Sequence, residues 1–135
     1  MKLTKEELPH ILMGAAMEVH KCLGPGLHVE AYRDCLAFEL KMREIIFQRD
    51  VPLNFNFKGH RITNAATLDF VVEDLMLIKV EAVEQLQSSH KQALTSYLRL
   101  SGYESGFLIN FNVEKLRDGI KRIIVSEEKP DVPYR

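Results

Sequence analysis

Residues 69–81, Asp-Phe-Val-Val-Glu-Asp-Leu-Met-Leu-Ile-Lys-Val-Glu, constrain the fold of this chain more than any other segment. Two short apolar runs flank Glu73-Asp74, the pattern of two strands joined by a tight turn. Side chains two apart on a strand point to the same face. Lys79 and Glu81 therefore share one side of the second strand, and the hairpin carries Asp69 towards them. Two carboxylates and an ammonium converging on one spot outline a site that binds a divalent metal and cuts a phosphodiester.

The rest of the chain bounds what can surround that hairpin. Its 135 residues suit one domain with one core, and 46% apolar with 27% charged residues is the profile of a soluble globular protein. No apolar run approaches the ~20 residues needed to cross a bilayer. The start, Met1-Lys2-Leu3-Thr4-Lys5, leads into an amphipathic pattern without an apolar signal region, so the expected setting is cytoplasmic. Cys22 and Cys35 lie in helical patterns and read as core thiols rather than a disulfide or zinc pair. A net charge of −1 lacks the basic surplus of a protein that grips duplexes strongly, although a local patch remains compatible with it. Lys115, Arg117, Lys121 and Arg122 cluster late in the chain and read as a solvated face.

Thr4-Lys5-Glu6-Glu7 is a capping-box signature. A helix over 5–23 follows, with Leu8, Ile11, Leu12, Ala15, Ala16, Val19, Cys22 and Leu23 on one stripe and its regular part starting near Pro9. Gly24-Pro25-Gly26 stops it. A second helix spans about 29–44, with Ala31, Cys35, Leu36, Phe38, Leu40 and Met42 as its apolar positions. The period then changes to two. Segments 45–50 and 51–57 read as strands, Lys58-Gly59-His60 as a turn, 68–72 and 75–83 as the hairpin. Ser88 or Ser89 caps a third helix that ends before Gly102. Strands at 107–110 and 120–125 close the order. The expectation is an α/β domain over 1–125, with a central mixed sheet flanked by helices, and an irregular tail over 126–135.

In this order and spacing the chain resembles the GxxExxY proteins of the PD-(D/E)XK nuclease superfamily. The resemblance rests on Val19-His20-Lys21-Cys22-Leu23-Gly24-Pro25-Gly26, Tyr32, Cys35-Leu36, Glu39-Leu40, Asp69, Ala82-Val83-Glu84, His90-Lys91-Gln92, Tyr97-Leu98, Leu108-Ile109-Asn110-Phe111 and Asp118-Gly119-Ile120-Lys121-Arg122-Ile123. It implies a restriction-endonuclease-like core and, as ancestral chemistry, Mg²⁺-dependent cleavage of nucleic acid. Mg²⁺ neutralises the phosphodiester and orients a water, two carboxylates hold the ion without filling its shell, and a lysine assists the water. The resemblance implies catalytic candidates Asp69, Lys79, Glu81, Gln92 and Tyr97, with Asp69, Glu81 and Glu30 as candidate metal ligands.

Two departures from the family pattern follow. The family places its metal-binding glutamate ten residues after the aspartate and its lysine two later, whereas here position 79 is Lys and position 81 is Glu. The carboxylate has moved about 6.5–7 Å along the strand, and a metal shell tolerates errors of only tenths of an ångström. The ammonium in its place would repel Mg²⁺ and pair with Asp69. In the name motif Gly26 and Tyr32 fit, but the glutamate position holds Val29; Glu30, about 100° further round the helix, faces elsewhere. His28 reads as an exposed loop residue, His90 as a residue that can line the cleft, and Asn110 as a strand-end cap. The sequence thus points to a nuclease-like protein with a degenerate site and weak or absent Mg²⁺ binding. The alternative is a non-catalytic module for a nucleic-acid or protein partner, the latter including a second copy of the chain. No membrane association is expected.

Overall fold

A computed structural model describes residues 3–125 of the chain. Helix α1 spans Leu8–Leu23. The capping box forms ahead of it: Glu7 N–H donates to Thr4 Oγ1 at 3.2 Å and Thr4 N–H donates to Glu7 Oε1 at 3.0 Å. The Thr4 N–H, and then the Thr4 hydroxyl, which also donates to Glu7 Oε1 at 3.0 Å, hold the exposed Glu7 carboxyl below its ordinary value. Helix α2 spans Val29–Met42 and buries Tyr32, Leu36 and Leu40. Its apolar positions Phe38 and Met42 instead lie 64% and 66% exposed. Cys22 and Cys35 are exposed as well and not core thiols. On α2 the reason is geometric: α1 and the sheet cover only the stripe through Tyr32, Leu36 and Leu40, and Cys35, Phe38 and Met42, one or two positions from the nearest of these, rotate out of it.

The strands are β1 (Phe47–Pro52), β2 (Phe55–Phe57), β3 (His60–Ile62), β4 (Thr67–Val72), β5 (Met76–Glu81), β6 (Ser105–Asn110) and β7 (Ile120–Ile124). Five of them form one sheet in the order β1-β4-β5-β6-β7. The β5–β6 pair is parallel and the other neighbours are antiparallel. A parallel pair needs a crossover, which α3 (Ser88–Ser101) supplies. Its cap is not Ser88 or Ser89: the Gln87 N–H donates to His90 Nδ1 at 2.8 Å, closing a reciprocal box that uses His90 at the helix start rather than in a cleft. Gly102, in the left-handed conformation, ends the helix as expected.

Alternation along the central strands divides the core. Phe70, Val72, Ile78, Val80, Phe107 and Ile109 pack with α1 and α2. Val71, Leu77, Leu108 and Ile123 pack with Leu94 and Leu98 of α3 on the other face. This is the α/β, restriction-endonuclease-like architecture expected from the sequence. Segments 45–57 differ in detail: one strand runs through 47–52, and β2 pairs with β3 in a separate ribbon. The expected tail at 126–135 lies outside the described residues.

Candidate active site

The antiparallel β4–β5 ladder runs from Val72–Met76 to Phe70–Ile78. Beyond it the side chain of Asp69 continues the pairing, and Val80 N–H donates to Asp69 Oδ2 at 2.8 Å. The carboxylate is thereby fixed at the end of the hairpin with 20% of its side chain exposed. Burial raises its pKa above the ordinary value. The Val80 N–H, Arg33 and Lys79 pull it down, Glu81 pushes it up, and the net shift is upward.

Lys79 and Glu81 alternate with the core residues Ile78 and Val80, so they share a face as the spacing requires. Their side chains form an ion pair with each other, each about one-fifth exposed or less. Lys79 does not form the expected ion pair with Asp69. One oxygen of Asp69 is committed to the β5 backbone, whereas Glu81 lies beside Lys79 on the same strand.

A second set of charges closes over Asp69 from α2 and β1. Arg33 Nη1 donates to Glu30 Oε1 at 2.5 Å, and Nη2 meets Asp50 and lies 3.8 Å from Asp69 Oδ1. Arg33 is only 13% exposed. Burial works to lower its pKa, but the hydrogen bonds to Asp50 and Glu30 outweigh it and hold the guanidinium above its ordinary value. Arg49 Nη2 donates to Asp34 at 2.7 Å and reaches Glu30 Oε2 at 3.5 Å, with its guanidinium 5.7 Å from the Phe70 ring centroid. Asp50 has φ +57° within β1, a conformation that aspartate tolerates better than most residues. The β1–β4 pairing runs on either side of Asp50 and Asp69. Sequence reading passed over Arg33, Asp34, Arg49 and Asp50. The available signals were the Glu30-x-x-Arg33 spacing, which puts both on one helix face, and an aspartate inside a strand, where that residue is disfavoured.

The resemblance implies magnesium, and these residues do not fit it. Each candidate carboxylate already faces a cation: Glu81 has Lys79, Glu30 has Arg33 and Arg49, and Asp69 has Arg33. Among the described residues no group of three or more His, Cys, Asp or Glu is arranged to hold a metal ion.

The remaining candidates stand apart. Gln92 is exposed on α3 and lines a shallow cleft of about 380 Å³ with Lys91, Thr95 and Arg99. Among the described residues, no hydrogen bond or ion pair joins it to Asp69, Lys79 or Glu81. Tyr97 is half-buried against the α3 side of the core. Of the name motif, Val29 packs on the α1–α2 core and Glu30 turns to the two arginines. The Tyr32 hydroxyl donates to Gly24 O at 2.6 Å and accepts from Leu27 N–H at 3.1 Å, while its ring stacks on Phe111 at 4.9 Å. Tyr32 thus moulds the loop before α2. Asn110, 2% exposed, binds both backbone groups of Val83 at 3.0 and 2.9 Å, closing the end of β6 as its position suggested.

A family model of the PD-(D/E)XK nuclease superfamily matches residues 6–123. No curated protein and no solved structure matches the chain. No helix among the described residues is long and apolar enough to cross a membrane.

Proposed function

The chain belongs to the PD-(D/E)XK nuclease superfamily, and on that premise we propose that it is a GxxExxY-type nuclease-like protein whose metal-dependent cleavage site is degenerate. Its ancestral reaction is Mg²⁺-dependent hydrolysis of nucleic-acid phosphodiesters in the cytoplasm. The observation that carries the reading is the set of internal cations: Lys79 on Glu81, and Arg33 among Glu30, Asp50 and Asp69. A cation already among the carboxylates repels Mg²⁺ and occupies the lone pairs the ion would use. Asp69, Lys79, Glu81 and Glu30 are then the remnant of the catalytic set; Gln92 and Tyr97 belong to it by resemblance alone. The ion-paired hairpin also favours a second reading, a non-catalytic module that binds a nucleic acid or another protein, including a second copy of the chain.

Calorimetric titration with Mg²⁺ and Mn²⁺, beside a cleavage assay on labelled DNA and RNA, tests the proposal. Degeneracy predicts no saturable heat and no cleavage. Stoichiometric Mn²⁺ binding, lost together with cleavage in Asp69→Asn, overturns it. The double exchange Lys79→Glu with Glu81→Lys asks whether the swap itself silences the site; a variant that still takes up no metal assigns the block to Arg33.

A further inference from the structure

Between Asp50 and Asp69 the chain carries no carboxylate, although acids outnumber Lys and Arg over the whole sequence. The cations Lys58 and Arg61, with His60, fall in this interval, and the structure gathers them on the β2–β3 ribbon. Phe55 pairs with Ile62, Asn56 with Arg61 and Phe57 with His60, so Phe57 and His60 share one face and Arg61 the other. Lys58 and Gly59 make the turn, both with positive φ (51° and 81°), as two-residue hairpins prefer. The ribbon is rooted by Leu53 N–H to Ala66 O at 2.8 Å and Ala65 N–H to Leu53 O at 2.9 Å, directly beyond the end of the β1–β4 pairing. It therefore projects from the same hairpin that holds Asp50 and Asp69.

Phe57 is 43% exposed, and Lys58, His60 and Arg61 are exposed. Among the described residues no carboxylate lies within ion-pair distance of Lys58 or Arg61. The Lys58 ammonium lies 5.4 Å from the Phe57 ring centroid. An isolated two-stranded ribbon is marginally stable in water, so an aromatic left at its tip contributes little to the core. An uncovered aromatic with Lys58 against its ring, and Arg61 on the opposite face of the same narrow ribbon, matches an unpaired nucleic-acid strand that crosses the ribbon, its bases stacking on the aromatic face while its phosphates take the cations.

We infer that the β2–β3 ribbon is a binding arm for single-stranded nucleic acid, with Phe57 stacking a base and Lys58 and Arg61 neutralising adjacent phosphates. The inference rests on the nuclease-like reading for the class of partner, and it requires no cleavage. The test is fluorescence anisotropy of a labelled oligodeoxythymidylate of about 16 nucleotides with the full chain, from about 50 to about 200 mM salt. Phe57→Ala should weaken binding roughly 5- to 150-fold with the salt slope unchanged. Lys58→Gln with Arg61→Gln should make the slope of log affinity against log salt shallower by about 1.4. Circular dichroism and thermal melting confirm that both variants fold. Strand binding that is equal in all three proteins overturns the arm, as does an absence of strand binding by the unaltered chain, or binding to polyglutamate in preference to the oligonucleotide. None of these outcomes touches the metal titration, so the arm and the degenerate-site reading fail separately.

Discussion

Asp69 is held by opposing effects, of which burial is the largest, and their balance can be read from its proton. Burial raises its pKa, while the Val80 N–H and the nearby Arg33 and Lys79 lower it, leaving the native value above the ordinary 3.8. A carboxyl raised in the native state keeps its proton to higher pH than in the unfolded chain. Its contribution to stability is therefore complete below about 3.8 and is lost as pH rises through the raised native value. Asp69→Asn keeps an amide oxygen for the Val80 N–H and removes the titration. Urea midpoints measured across this range should move in favour of the variant as pH increases. Movement in the opposite direction would mean that Arg33 and Lys79 outweigh the desolvation of the carboxylate.

The β4–β5 turn shows the same competition between local preference and side-chain contact within one element. Glu73 and Asp74 have φ of 53° and 54°, the left-handed conformation favoured by glycine and asparagine. Each is compensated by a contact: Glu73 Oε2 accepts the Ile46 N–H at 2.8 Å, and Asp74 Oδ1 accepts the Tyr103 hydroxyl at 2.6 Å. Burial first, and then Asp74, push the Tyr103 hydroxyl up to about 12. A hydroxyl that keeps its proton longer when folded stabilises fully below pH 10 and loses that contribution as pH rises from 10 to about 12. Asp74→Gly relieves about 1 kcal/mol of backbone cost and sacrifices the Tyr103 contact. It should be close to neutral in the native sequence, but stabilising by about 1 kcal/mol in a Tyr103→Phe background, where no such contact remains. Equal effects in the two backgrounds would remove the Tyr103–Asp74 bond from the account. The hairpin itself was legible because its two short apolar runs and its acidic turn are local signals. The Glu73 and Asp74 contacts were not, since their partners lie 27 and 29 residues away. For the same reason the Asp69–Lys79–Glu81 face could be read from spacing, whereas Arg33 came into the site only through its side-chain contacts from α2 to Asp50 and Asp69. On α2 itself the apolar positions 38 and 42 matched a helical period and still proved exposed, because a period does not say which arc a neighbour covers.

Across the whole molecule, one sheet serves two cores, and this determines whether residues 1–125 behave as the single domain proposed for them. Leu12 of α1 is fully buried on one face and Leu98 of α3 is fully buried on the other. Neither helix packs against the other cluster; the link between them is the set of central strands, whose alternate residues enter opposite cores. Leu77 lies between Met76 and Ile78, and Leu108 between Phe107 and Ile109, so a strand that shifts to fill a void on one side moves side chains on the other. Leu12→Ala and Leu98→Ala should each cost about 2–5 kcal/mol. Leu12 and Leu98 lie in separate clusters joined only through the strands, so a departure of the double variant from additivity by more than about 0.5 kcal/mol measures the coupling carried by the sheet. If the sheet binds both layers into one cooperative unit, the single and double variants will each unfold in one urea transition, coincident by circular dichroism and tyrosine fluorescence. A second transition in Leu98→Ala, with α1 and α2 still protected from hydrogen exchange, would show α3 leaving a core that stands without it. The parallel β5–β6 pair would then be held by backbone bonds and the α1–α2 layer alone, an arrangement rare for parallel strands, which are normally covered on both faces.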